Sequence, residues 1–174
     1  MNSKKLFIWG FLFMSVIGTL LHFVYEWSGN NSIVRLFAPW NESTWEHMKL
    51  LFFPLLALVL FLFFKLPEQS PIPVALSIGT LVGLALIPIL FYTYTGVLGF
   101  SVMAIDIAIF YISVLGVFLT GWFLKDNREL ANRRGLLLTC LVILAILFFI
   151  FSYYPPEIGL FPVSYTHLTL PTNS

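Results

Sequence analysis

Five stretches of this chain are long and apolar enough to be solvated only by lipid or by one another: roughly residues 6–27, 43–64, 72–94, 100–124 and 135–154. A helix needs about 20 apolar residues to cross a hydrocarbon layer about 30 Å thick. Inside that layer every backbone N–H and C=O must be satisfied within the segment, which leaves the helix as the form such runs can take. The expected fold is therefore all-α, an integral membrane bundle of five transmembrane helices. The charge content agrees. Only 10% of the residues are charged, against about 25% in a soluble domain. A net charge of +1 offers no basic field for nucleic acid, so the expected partners are membrane lipids. The single cysteine, Cys140, excludes an internal disulfide.

Taken in order, the first run follows Lys4 and Lys5 and ends in His22-Phe23-Val24-Tyr25-Glu26-Trp27, which is too bulky and polar for a leader-peptide cleavage site, so a retained helix is expected. The second opens with Ser43 and, three residues on, Glu46, the pattern of a capping box. Pro54 lies inside it and should bend it by removing one backbone donor. The third is opened by Pro71 and Pro73 and carries Gly79 and Gly83 at a spacing that lets another backbone approach. A polar connector, residues 125–134, joins the last two runs.

Alternating spans divide the cations unequally. Lys4, Lys5, Lys65, Lys125, Arg128, Arg133 and Arg134 fall at one end, Arg35 and Lys49 at the other. The positive-inside rule then puts the N-terminus in the cytoplasm and the end of the fifth span outside. Trp27, Trp40, Trp45, Tyr92, Tyr94, Tyr153 and Tyr154 gather near the outer boundary, as an interfacial belt would. Residues 1–161 are read as one domain. The tail from Pro162 to Ser174 changes character abruptly, resembles translated adaptor sequence, and leaves His167 out of any site.

The same alternation brings ionisable residues to the outer end: His22 and Glu26 from the first span, Glu42, Glu46, His47 and Lys49 from the second, Asp106 from the fourth. A charge held in hydrocarbon costs at least about 2.5–3.5 kcal/mol, so such groups normally face a partner or a wet cavity. An imidazole with several carboxylates suits a divalent metal. His22, Glu26 and Glu46 are the expected ligands, with Glu46, His47 and Asp106 as catalytic candidates. Such a metal could activate water for hydrolysis of a lipid or envelope substrate. A proton or cation relay is the second reading. The third is a purely structural network in an accessory or sensor protein. The inner halves of the spans hold almost no ionisable residue, which weighs against a permease unless a homo-oligomer supplies the path. Bland readings stand beside these: Glu46 as the acid of a capping box, Glu42 complementing a helix dipole, Lys49 pairing with Glu46 at i,i+3. Glu42, Glu46 and Lys49 share a helical face, whereas His47 points about 100° away from Glu46.

The stretch HFVYEWSGNNSIVRLFAPWNESTWEHMKLLFFP, with a later PPEIGLF, resembles a family of small bacterial multi-pass membrane proteins known only as a domain of unknown function. The resemblance implies residence in the cytoplasmic membrane. It marks His22, Glu26, Asn41, Glu42, Trp45, Glu46, His47 and Lys49 as signature positions and supplies no reaction, substrate or cofactor.

Overall fold

The computed structural model describes residues 2–161; the expected foreign tail, with His167, lies outside them. Among these residues are five helices long and apolar enough to cross a membrane. They are α1 (Ser3–Trp27), α3 (Thr44–Lys65), α4 (Ile72–Leu98), α5 (Met103–Leu124) and α6 (Arg134–Tyr153). A single-turn helix, α2 (Val34–Phe37), lies in the first connector, and a 3₁₀ turn over Arg128–Arg133 fills the last. The all-α expectation holds. The largest shifts in boundary are at the 94–103 junction, where α4 runs on to Leu98 and is stopped by Gly99 in the left-handed region, φ 80°.

The helices alternate in direction, so the end of α1, the start of α3, the end of α4, the start of α5 and the end of α6 meet. His22 faces His47, Tyr92 reaches Thr44, Tyr94 bonds Asp106, and Lys49 reaches Ser152. At the opposite end Phe7 of α1 packs edge-on against Trp122 of α5, and Arg134 donates to the Phe63 carbonyl. The core between them is apolar: Met14, Phe52, Leu55, Val59, Val114, Val117 and Leu141 are buried.

Two close approaches set the geometry. Gly79 and Gly83 of α4 lie against the Val117 and Ser113 carbonyls of α5, where an added methyl would strike backbone. The small-residue spacing does act as a contact surface between helices. The second approach concerns α3, which continues through Pro54. A proline cannot donate to the carbonyl four residues earlier, here that of Leu50. A Cβ on Gly18 of α1 would stand 2.9 Å from that carbonyl oxygen. Gly18 thus seats α1 against the stretch of α3 that Pro54 leaves bare, and His22 is one turn further along α1.

The aromatics expected at one boundary differ in burial, with Trp27, Tyr92, Tyr153 and Tyr154 exposed. Trp45 is buried instead, its ring 4.5 Å from Phe148 and 5.0 Å from Phe161, because its face of α3 turns toward α6 and the 155–161 segment.

Candidate metal centre

Helix α3 begins at Ser43, whose hydroxyl accepts the Glu46 N–H at 3.3 Å. Only this forward half of a capping box forms. The Ser43 N–H is taken by the Asn41 side chain at 2.9 Å, so Glu46 is not needed there and its carboxylate turns elsewhere. Asn41 shapes the entry to α3.

His47, the residue after Glu46, has Nδ1 3.0 Å from the Ser43 carbonyl. A carbonyl only accepts, so Nδ1 must carry the proton in this contact. That leaves Nε2 with its lone pair outward in the neutral ring, and Glu42 Oε2 stands 3.3 Å from it. Two acceptors face each other across that gap. A proton on Nε2, or a metal ion between the two, makes the arrangement favourable. The hydrogen bond to His47 holds the Glu42 carboxyl below its ordinary range, against the opposing effect of partial burial.

His22 completes the group. Its ring centroid is 5.4 Å from that of His47, and His22, Glu42 and His47 offer ligand atoms that all lie within 4.8 Å of one another. A tetrahedral zinc with bonds of about 2.0–2.2 Å spaces its ligand atoms by roughly 3.4 Å. The His47–Glu42 pair already has that spacing, and the ligand atom of His22 lies within 4.8 Å of both. Two imidazoles and a carboxylate, with one position open, form the donor set of catalytic zinc sites. The bond from His47 Nδ1 to a backbone carbonyl is the outer-shell contact such ligands use to fix the ring. Asp106 on α5 accepts from Tyr94 and lies within electrostatic reach of His47.

The expected ligand set was His22, Glu26 and Glu46; the geometry groups His22 with Glu42 and His47. Glu46 is excluded by the helical wheel. Adjacent residues leave a helix about 100° apart, so with His47 turned to α1, Glu46 must turn away, toward α6. Glu26 shares the His22 face of α1 but is exposed and beyond the group. Glu42 precedes the N-cap, is not bound by the wheel, and can fold back over His47.

Glu46 forms a second polar centre. Its Oε2 is 2.6 Å from Lys49 Nζ, and the two side chains are 2% and 0% exposed, so Glu46 is committed to a buried ion pair apart from the His22, Glu42 and His47 group. Lys49 also donates to Ser152 Oγ at 2.5 Å and to the Arg35 carbonyl at 2.9 Å, so all three ammonium protons are used. The Trp40 N–H approaches Glu46 Oε2 at 3.4 Å. Arg35 lies over the Trp40 ring at 3.7 Å and donates to the Ser152 carbonyl at 2.7 Å. A serine beside a lysine invites a nucleophile-and-base reading, but the bonds run the wrong way. Ser152 Oγ accepts from Lys49 and donates to the Phe148 carbonyl at 2.7 Å, in a buried setting.

Ser152 carries no expectation in the sequence, and Arg35 counts there only as one of the cations at this end. A hydroxyl near the end of an apolar span gives no signal, since most such hydroxyls bond their own helix, as Ser77 and Thr80 do here. Residues 1–167 match the model of a family described as being of unknown function. No curated protein and no solved structure matches the chain.

Proposed function

The chain belongs to that family, DUF6512, and on this premise we propose that it is a membrane-embedded, metal-assisted hydrolase acting on an ester of a lipid or envelope component at the membrane boundary. The observation that carries the reading is the convergence of His22, Glu42 and His47, with ligand atoms within 4.8 Å and Glu42 open to solvent. A divalent transition metal held by His22, Glu42 and His47 would polarise an ester carbonyl or phosphoryl oxygen and lower the pKa of its water toward neutrality. The water oxygen would bond to the carbonyl carbon or phosphorus as the ester bond to the leaving oxygen breaks. Asp106, whose charge is felt at His47, would take the proton from water and return it to the leaving alkoxide. Glu46 has no part in this chemistry, being committed to Lys49.

The site end is read as extracytoplasmic, because seven of the nine Lys and Arg residues fall at the other end. An ion-coupled permease is disfavoured by the apolar core below the site. The scaffold or sensor reading draws on the buried Glu46–Lys49 pair, which joins several segments without any metal.

The test is elemental analysis of detergent-purified protein, followed by hydrolysis assays on ester and phosphoester lipids with and without chelator. About one transition metal per chain and chelator-sensitive turnover support the hydrolase. Metal-free protein that neither binds nor is stabilised by added zinc or manganese retires it, and the structural network becomes the better account. Metal binding without turnover of any ester leaves a metal-dependent sensor.

A further inference from the structure

We infer that Lys49, acting with Glu46, is the positioning residue of the metal centre, holding the 28–42 segment so that Glu42 is delivered to His47. The inference rests on the metal-centre reading above and adds to it which residues outside the ligand set build the site.

Glu42 is the one ligand with no helix beneath it. His22 and His47 stand on α1 and α3, whose backbones are fixed by their own ladders. The Glu42 side chain is 71% exposed, and the contact that restrains it is the 3.3 Å approach to His47. Its position therefore depends on what holds the chain just before it. Lys49 Nζ grips the Arg35 carbonyl at 2.9 Å, and Glu46 Oε2 lies 3.4 Å from the Trp40 N–H, two residues short of Glu42. Arg35 and Tyr153 add bonds to Ser152 and Ser32 that tie the same segment to α6, at 2.7 and 2.8 Å.

The two centres share one turn of α3. Glu46 and His47 are neighbours whose side chains diverge by about 100°, one into the clamp and the other into the ligand group. A rigid helix turn thus sets the register between the clamped segment and the imidazole. Outer-shell groups of this kind typically change metal affinity by about 10–100-fold when removed.

The clamp predicts a non-additive mutant pattern. Lys49→Met alone strands the Glu46 carboxylate, so the test uses Lys49→Met with Glu46→Leu, which removes both charges. Cobalt(II) is titrated into chelator-treated, detergent-purified wild type, the double variant, Glu42→Gln, and the three changes together, with thermal melting recorded for each. The double variant is expected to melt close to wild type yet bind cobalt about 10–100-fold more weakly. Its d–d absorption should shift as that of Glu42→Gln does, and the triple variant should show no further loss. Should the double variant fail to fold, Lys49→Gln, whose amide can still donate to Glu46, is compared with Glu42→Gln in the same way.

Unchanged cobalt affinity in the double variant, or losses that add in the triple, would overturn the inference and leave the pair as an ordinary stabilising contact. Wild type that binds no cobalt overturns the metal centre as well, so the two failures are distinguishable.

Discussion

The imidazole rings of His22 and His47 lie with their centroids 5.4 Å apart although they belong to different helices, α1 and α3. Helices pack at interaxial distances of about 8–10 Å, so two rings projecting into the same interface from opposite sides meet near its middle. A metal ion held by both is bound by tertiary structure and is absent from the unfolded chain. His22→Ala and His47→Ala should each abolish tight transition-metal binding, while Glu26→Gln leaves it within about twofold of wild type. Elemental analysis after gel filtration reads this directly. Retention of stoichiometric metal in His22→Ala would sink the proposed ligand set.

Gly18 supplies the spacing on which that meeting depends. Gly18→Leu places a side chain where the Leu50 carbonyl and the Phe110 ring already lie, 2.9 and 2.5 Å from an added Cβ. Overpacking of this kind costs about 1–3 kcal/mol, and it should move α1 away from α3. The expected outcome is lower thermal stability together with weaker cobalt binding, though no ligand is altered. Weaker binding without any loss of stability would show that the glycine matters for some other reason.

Removing one partner of the buried Lys49–Glu46 pair should cost about 3–5 kcal/mol, and removing both much less. Thermal melts of Lys49→Met, Glu46→Leu and the double variant form a cycle that reads the coupling. A double variant whose loss equals the sum of the two single losses would mean that the pair contributes nothing beyond its separate contacts.

Orientation is open to chemical labelling. With Cys140 replaced by serine, Asn31→Cys in the segment between α1 and α3 should react with a membrane-impermeant thiol reagent in intact cells. Labelling only after lysis would place the metal centre on the cytoplasmic side and redirect the substrate search accordingly.

The bundle was legible because lipid solvation demands long apolar runs, and these stand out in a chain whose charges cluster in connectors. The crowding of His22, Glu42, His47, Lys49 and Asp106 at one end followed from alternation alone. Which of them meet did not. Helical spacing gives the direction in which each side chain leaves its own helix and says nothing of how two helices are rotated against each other. Glu46 was grouped with His22 for that reason, and the structure turns it toward Lys49. Glu42 was assigned the share of a helix face, yet it precedes the N-cap Ser43 and follows a path that periodicity cannot describe. Ser152 was invisible because its partner, Lys49, is 103 residues earlier.

That separation also bears on biogenesis. A ribosome delivers α3 to the membrane long before the last span is made, so Lys49 must wait with only Glu46 and the Arg35 carbonyl to receive its protons. The third acceptor, Ser152, arrives with the final turn of α6. Until then one of the three Lys49 protons lacks the protein acceptor it has in the finished bundle. The shell of acceptors around Lys49 is therefore complete only when the last span has packed against α3.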